Sequence, residues 1–355
     1  MINSKTVTLE EICEKGSSNI ALNEIENNFG TYPIYGAAGF LKNVDFYKSD
    51  KPYIGIVKDG AGVGRVSIHP EKSSLIGTMQ YIFPNENVDI NYLAEFLKSQ
   101  NLGRFYTGAT IPHIYFKDYK SIKLNLPSLE NQRYIAKEFC KCNEIIKKHK
   151  ALLEKYDILI KSRFIEMFGD PVQNPMRWEK TELGNLCKEV RYGTSKPASE
   201  NGKYTYLRMN NITYEGELDL TNIKSIDISD DELPKCSVKK GDILFNRTNS
   251  IELCGKTCLY KLDETMVIAG YIIRVRVNEK LNPQYVSTFF NIKSIKKLLK
   301  EMAKGAVNQA NINAQEMQSI QIPVPPISLQ NEYESFVQQI DKSKFEYAYT
   351  GVAAW

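Results

Sequence analysis

Residues 129–168 hold the feature that most limits what this chain can become. Apolar or semi-apolar side chains recur at Ile135, Phe139, Cys142, Ile146, His149, Leu153, Tyr156, Ile160 and Met167. The steps alternate four and three, with Arg163 taking one seam position and neither Pro nor Gly inside the run. Such a heptad seam predicts a helix built to pack along its length on another helix. Ser128, after Pro127, suits the N-cap, and Gly169-Asp170-Pro171 suits the stop. At 1.5 Å per residue the rod is about 60 Å long. A rod of that length in mid-chain needs a second long helix to bury its stripe.

After a linker at Pro171–Trp178 the sequence begins again. Leu9-Glu10-Glu11-Ile12-Cys13 is echoed by Leu183-Gly184-Asn185-Leu186-Cys187. Asn91–Leu97 is echoed by Gln284–Phe290, and Gly108-Ala109 by Gly305-Ala306. Ser121-Ile122-Lys123-Leu124 matches Ser319-Ile320-Gln321-Ile322. Pro127-Ser128-Leu129-Glu130-Asn131 matches Pro326-Ile327-Ser328-Leu329-Gln330-Asn331. Five echoes in order define an internal duplication. Each repeat reads as a mixed α/β unit. Strand-like runs fall at Tyr53–Lys58, Tyr204–Met209, Asp242–Asn246 and Ile268–Val277, and helices at 90–102 and 283–304. Each unit closes on a Ser-Ile-x-Leu/Ile strand and a Pro-rich turn into a rod helix. The second rod helix, 328–347, is the shorter.

The 355 residues fit about two domains. The composition, 42% hydrophobic and 25% charged, is that of a globular chain. No apolar run reaches the ~18–20 residues of a membrane span. The polar start, without a secretory core, and the odd count of seven cysteines point to a cytoplasmic protein with reduced thiols and no membrane partner. The net charge of +4 is spread over the chain, with no basic arm. A nucleic-acid surface would therefore have to be assembled by folding.

Catalytic and cofactor motifs fail on inspection. Asp59-Gly60-Ala61-Gly62-Val63-Gly64 runs into Arg65-Val66-Ser67-Ile68, a strand pattern, whereas a dinucleotide loop must run into a helix. It reads as a glycine turn. Cys254-Gly255-Lys256-Thr257 lacks the leading glycine of a phosphate loop, since position 250 is Ser250. Cys236, Cys254 and Cys258 have no fourth ligand in register for zinc. His69, His113 and His149 belong to no metal or nucleophile constellation. There is no Asp/Asn-Pro-Pro-aromatic methyltransferase motif and no carboxylates-plus-Lys nuclease motif. The chain reads as a recognition protein, with no catalytic residues and no metal site.

A recognition surface can be proposed from side-chain chemistry. Lys293, Lys296, Lys297, Lys300 and Lys304 fall at helical spacing and lead into a run containing Asn308, Gln309, Asn311 and Asn313. Lysines hold phosphates, and Asn or Gln can read adenine edges. The first repeat places Lys98, Arg104, Tyr106, Thr107, Thr110 and His113 in the same region.

Four stretches stand out within this layout: Leu124–Ile135 (LNLPSLENQRYI), Ile158–Asp170 (ILIKSRFIEMFGD), Tyr192–Lys196 (YGTSK) and Gly241–Asn249 (GDILFNRTN). With them the layout resembles the specificity (S) subunit of Type I restriction–modification systems. The resemblance covers nearly the whole chain. These motifs add Lys196, Arg247 and Asn249 to the DNA-binding candidates.

The resemblance implies an α/β (α+β) fold with two pseudo-repeated target-recognition domains, 1–128 and 170–327. They would be separated by antiparallel coiled-coil spacer helices, 129–169 and 328–347, with a tail at 348–355. It implies a non-catalytic chain that reads a bipartite site in double-stranded DNA. Partners would be two modification subunits, which carry S-adenosylmethionine, and a restriction subunit using ATP and Mg. The alternatives are a free-standing DNA-binding regulator or, less favoured, a methyltransferase or nuclease. The short second helix departs from the family pattern. Antiparallel packing then pairs Leu153, Tyr156 and Ile160 with Tyr333, Phe336, Val337 and Ile340. The end near Ile135 and Phe139 is left open as a seat for a partner or a second copy.

Overall fold

The computed structural model describes residues 5–108, 111–306 and 309–352. They form two compact units, 1–148 and 149–355, with the boundary inside one continuous helix.

The duplication is visible as strand pairing. In unit 1, Lys5–Thr8 pairs antiparallel with Lys123–Leu126, so the start of the repeat closes on its end. In unit 2, Lys180–Glu182 pairs antiparallel with Gln321–Pro323. A four-stranded sheet follows in each. Its order is Cys13–Ser17, Met79–Pro84, Tyr53–Val57, Val66–His69 in the first, and Cys187–Tyr192, Ile272–Val277, Ile243–Asn246, Thr257–Leu259 in the second. In each unit a further sheet has an inner strand, Tyr32–Gly36 or Tyr204–Leu207, with an antiparallel neighbour on one side and a parallel one on the other.

The inner strands Tyr53–Val57 (YIGIV) and Ile243–Asn246 (ILFN) are buried throughout. Their largely apolar character reflects cover on both faces. Gly55 interrupts the first for a steric reason: a Cβ there would lie 2.7 Å from Nε2 of His69, whose ring stacks on Tyr53.

Helix α1 (Ile90–Ser99) is capped by Asp89, whose side chain accepts from the N–H groups of Asn91 and Tyr92 at 3.0 Å. Helix α2 (Leu129–Phe168) has 40 residues. It stops at Gly169, whose φ of +77° suits glycine and where a Cβ would meet Pro175 at 2.6 Å. Helix α3 (Pro283–Asn291) repeats α1. It has Pro at its start and Asn282 as the cap, accepting from Gln284 N–H at 2.8 Å. Helices α4 (Lys293–Met302) and α5 (Ile327–Val352) follow in unit 2. At 26 residues α5 runs beyond the 328–347 expected and remains shorter than α2.

One buried glutamine ties each long helix to its own repeat. Gln132 accepts from Asp89 N–H at 2.8 Å and donates to the carbonyls of Asn87 and Pro127. Gln330 accepts from Asn282 N–H at 2.8 Å and donates to Lys280 and Pro325. This fixes the register of the duplication here with Pro127 on Pro325 and Gln132 on Gln330. The pattern match of Pro127 to Pro326 was one residue out.

Within unit 2, residues 149–168 of α2 pack antiparallel on α5. Phe164 and Phe168 lie edge-on to Tyr333, and the Tyr333 hydroxyl donates to the Ile160 carbonyl at 3.1 Å. Further along α5, Lys344 pairs with Asp157 at 2.5 Å. The cluster includes Tyr333 and Val337 as buried members and Ile160 and Phe336 as partly buried ones. It differs from the sequence expectation at one end. Leu153 is 39% exposed, and Tyr156 and Ile340 are only half-buried and outside the cluster. The centre is Phe164 and Phe168. A straight helix drifts against a seven-residue repeat. By the last turns Arg163 faces Glu332 and the Phe336 ring, and Phe164 takes the buried slot.

The equivalent positions of unit 1 are open. Tyr92, Phe96, Ile135 and Phe139 line a groove of about 540 Å³. Phe139 and Ile146 are each 51% exposed.

The glycine motif is a turn, as its sequence implied. Gly64, at φ +84°, donates to the Val57 carbonyl at 2.8 Å and leads into strand Val66–His69. Gly255 does the same in unit 2, donating to Asn246 at 2.9 Å and leading into Thr257–Leu259. Lys256 is buried and donates to the Met209 carbonyl at 2.8 Å.

Candidate nucleic-acid interface

Each unit carries a hairpin just beyond the end of an inner strand of its four-stranded sheet. In unit 2, Lys304–Ala306 pairs with Gln309–Asn311, which pairs with Thr248–Asn249. In unit 1, Thr107 and His113 bond each other through both backbone groups at 2.9 Å, and Asp59 bridges to His113. The echo of Gly108 by Gly305 thus marks corresponding positions in the two hairpins, both at positive φ.

The joint between sheet and hairpin is built from the same backbone bonds in both units. Lys58 N–H donates to Thr78 and Arg247 N–H to Tyr271, each at 2.9 Å. The carbonyls of Lys58 and Arg247 accept from Ile114 at 2.8 Å and Ile312 at 2.9 Å. Gly77 donates to Ile20 and Gly270 to Thr194, each at 2.7 Å. A common frame therefore displays different side chains.

In unit 2 the joint presents Arg247, Thr248, Tyr271, Asn311 and Tyr192. The Arg247 guanidinium lies 5.0 Å from the Tyr192 ring centre. The Tyr192 hydroxyl accepts from Ala314 N–H at 2.9 Å. Thr248 donates to the Asn311 side-chain oxygen at 3.0 Å. Tyr271 is 52% exposed. In unit 1 the corresponding group is Lys58, Asp59, Thr78 and His113. Nearby, Tyr106 is 56% exposed, and Arg104 stacks 4.7 Å from the Phe105 ring centre. The His113 ring lies 5.4 Å from Tyr115.

The remaining sequence candidates are less free than their spacing implied. Lys98 pairs with Glu95 at 2.7 Å, Lys196 with Glu232 at 2.5 Å and Lys304 with Glu316 at 2.7 Å. Lys300 pairs with Glu252, and Lys297 lies 3.9 Å from Glu301. Lys293 and Gln309 are exposed. Lys304 sits in the hairpin, since α4 ends at Met302.

Lys296 departs from the expected face. It lies over the Tyr214 ring, donates to the Gly255 carbonyl at 3.4 Å, and burial pushes its ammonium down to about 8. Asn313 caps the helix Ala314–Gln318, accepting from Glu316 N–H at 2.9 Å, so it serves the backbone. Asn249 is held in its own turn by Asn246 and Ser250. Thr110 and Asn308 lie outside the described residues.

Sequence reasoning missed Lys58, Thr78, Tyr192 and Tyr271 as joint residues. The signal was present for Lys58: Val57-Lys58-Asp59 ends its strand as Asn246-Arg247-Thr248 ends the other. Among the described residues, no group of three or more His, Cys, Asp or Glu side chains could hold a metal. No helix among them is long and apolar enough to cross a membrane.

Two units of one topology, closed onto long helices and varied at a shared joint, define a duplicated recognition protein. The family model for the Type I restriction modification DNA specificity domain matches residues 1–155 and 175–348, and the chain belongs to that family. Among curated relatives it is 24% identical over 287 residues to the Type I restriction enzyme EcoKI specificity subunit of Escherichia coli. That match covers 75% of this chain and 61% of the relative. The Type I restriction enzyme MjaVIII specificity subunit of Methanocaldococcus jannaschii is 26% identical over 312 residues, 80% of this chain and 71% of the relative. A second M. jannaschii relative, MjaX, provisionally of the same class, is 29% identical over 171 residues, 47% of this chain and 40% of its own length. The chain thus spans about two fifths of MjaX and three fifths of EcoKI. Its fold is similar to that of a crystal structure of a Type-I restriction-modification system S subunit from M. genitalium. The TM-score is 0.59 at 16% identity, over 99% of this chain and 93% of that one.

Proposed function

We propose that this chain is the DNA sequence-specificity subunit of a Type I restriction–modification complex. Residues 1–128 and 170–327 are its two target-recognition domains, and 129–169 and 328–347 its spacer segments. Each domain reads one half of a bipartite duplex site. Adenine methylation is the work of two modification subunits that supply S-adenosylmethionine. Cleavage is that of a restriction subunit using ATP and Mg. This chain contributes recognition and placement and no catalytic group. The observation that carries this reading is the pair of joints, which share three backbone hydrogen bonds and differ in most of the side chains they display. A shared frame sets two domains on duplex DNA in the same way, and the varied side chains give two different half-sites. The exposed Phe139 and Ile146 and the open groove beside α1 supply apolar surface on which a modification subunit can pack.

The test is an exchange of residues 170–327 for those of a relative, with methylated adenines mapped in a host carrying the modification subunits. One half-site should change while the other and the reading of residues 1–128 persist. A change in both halves, or in neither, refutes independent readout.

A further inference from the structure

What distinguishes two half-sites must lie where the repeats differ. What the repeats keep must serve what the half-sites have in common, and two stretches of duplex share their phosphodiester backbone. Across the joint most positions change chemistry. Asp59 stands where unit 2 has Thr248, Thr78 where it has Tyr271, and His113 where it has Asn311. Ser17 stands at the strand position of Tyr192. Apart from the glycines Gly77 and Gly270 and the isoleucines Ile114 and Ile312, which supply backbone bonds, one polar position keeps its character: Lys58 and Arg247 are both cations, held by the same two backbone bonds.

These two cations also have unused donors. Arg247 lies over Tyr192, its Nε is buried without a hydrogen-bond partner, and one terminal nitrogen reaches the Gly270 carbonyl only at 3.5 Å. Among the described residues no carboxylate pairs with it. Among the described residues the one carboxylate near Lys58 is that of Asp59, at 3.9 Å. Lys98, Lys196 and Lys304 are by contrast held by carboxylates at 2.5–2.7 Å. We infer that Lys58 and Arg247 are equivalent anchors, one per domain, each taking a phosphate oxygen of its half-site, while the residues that differ around them read bases. This rests on the DNA-specificity reading above.

The full chain is titrated with a mixed-sequence 40-base-pair duplex over a range of KCl concentrations, and its preferred sequence is selected from a random duplex pool. Lys58→Ala and Arg247→Ala should each weaken binding roughly tenfold. Each should also reduce the slope of log K against log salt by about 0.9, the loss of one phosphate contact. The selected sequence should stay the same. Lys58→Arg and Arg247→Lys should keep the wild-type slope, which separates loss of the anchor from loss of the fold. Alanine variants with the wild-type slope would overturn the inference. So would a selected sequence relaxed in one half, because that marks a base contact. If the wild-type chain itself shows no salt-dependent duplex binding, the DNA reading falls as well. If only the alanine variants match wild type, the anchors alone fall.

Discussion

Two phenylalanines on one continuous helix should respond very differently to truncation. Phe164 is fully buried, stacks on Tyr285 at 5.2 Å, and meets Phe168 and Tyr333 edge-on at 5.0 and 5.6 Å. Burying a Phe side chain contributes about 1.5–3 kcal/mol, and each aromatic pair adds ~0.5–1.5. Phe→Ala in a core costs about 3–5 kcal/mol once the cavity is included. We expect about 4 kcal/mol for Phe164→Ala. Phe139, 51% exposed on the same helix, falls in the class of surface substitutions, within about 0.5 kcal/mol. The assay is urea unfolding followed by Trp178 in a Trp355→Phe background. The Trp178 indole donates to the Phe168 carbonyl at 3.0 Å, so it reports on this end of the helix. Hydrogen exchange of α5 should rise in Phe164→Ala and stay unchanged in Phe139→Ala. Equal costs for the two, or less than about 1 kcal/mol for Phe164→Ala, would refute the placement of the helix pair.

Two further outcomes follow from single side chains. Gln330→Ala strands the Asn282 N–H and leaves the Lys280 and Pro325 carbonyls short of a donor, so it should destabilise unit 2 by about 3 kcal/mol or more, at ~1–3 for each of these groups. Gln330→Glu sets a buried carboxylate against the Lys280 and Pro325 carbonyls, so at neutral pH it should cost at least as much as Ala and should recover toward wild type as the pH falls and the carboxyl protonates. Burial pushes the His69 imidazole down to about 4, from an ordinary value of 6.5. The unfolded chain then binds more protons between those limits. His69 therefore adds a pH dependence to stability, with full stability above 6.5 that is lost as the pH falls toward 4. His69→Phe should flatten the stability profile of unit 1 in that window, and an unchanged profile would refute a buried neutral histidine.

The duplication and the long helix were legible because both are periodic, and burial enforces a period at many positions at once. The echo at Leu9 and Leu183 emerged as paired closing strands followed by one helical turn in each repeat, with Cys13 and Cys187 donating back to those leucines at 3.1 and 3.2 Å. Register was less legible. Matching apolar residues set Pro127 on Pro326, whereas the backbone needs of a helix start, met by Gln132 and Gln330, set it on Pro325. The joint was the least legible part. Its members, Lys58, Thr78 and His113 in one unit and Arg247, Tyr271 and Asn311 in the other, are brought together by strand pairing from distant positions. No local spacing announces that. Lys296 shows the same gap from the other side. Its place three or four residues from Lys293 and Lys300 puts it on a helix face with them. A period does not say which part of that face another loop covers. The loop bearing Tyr214 and Gly216 covers this one, so a lysine read as a phosphate contact becomes a desolvated packing residue.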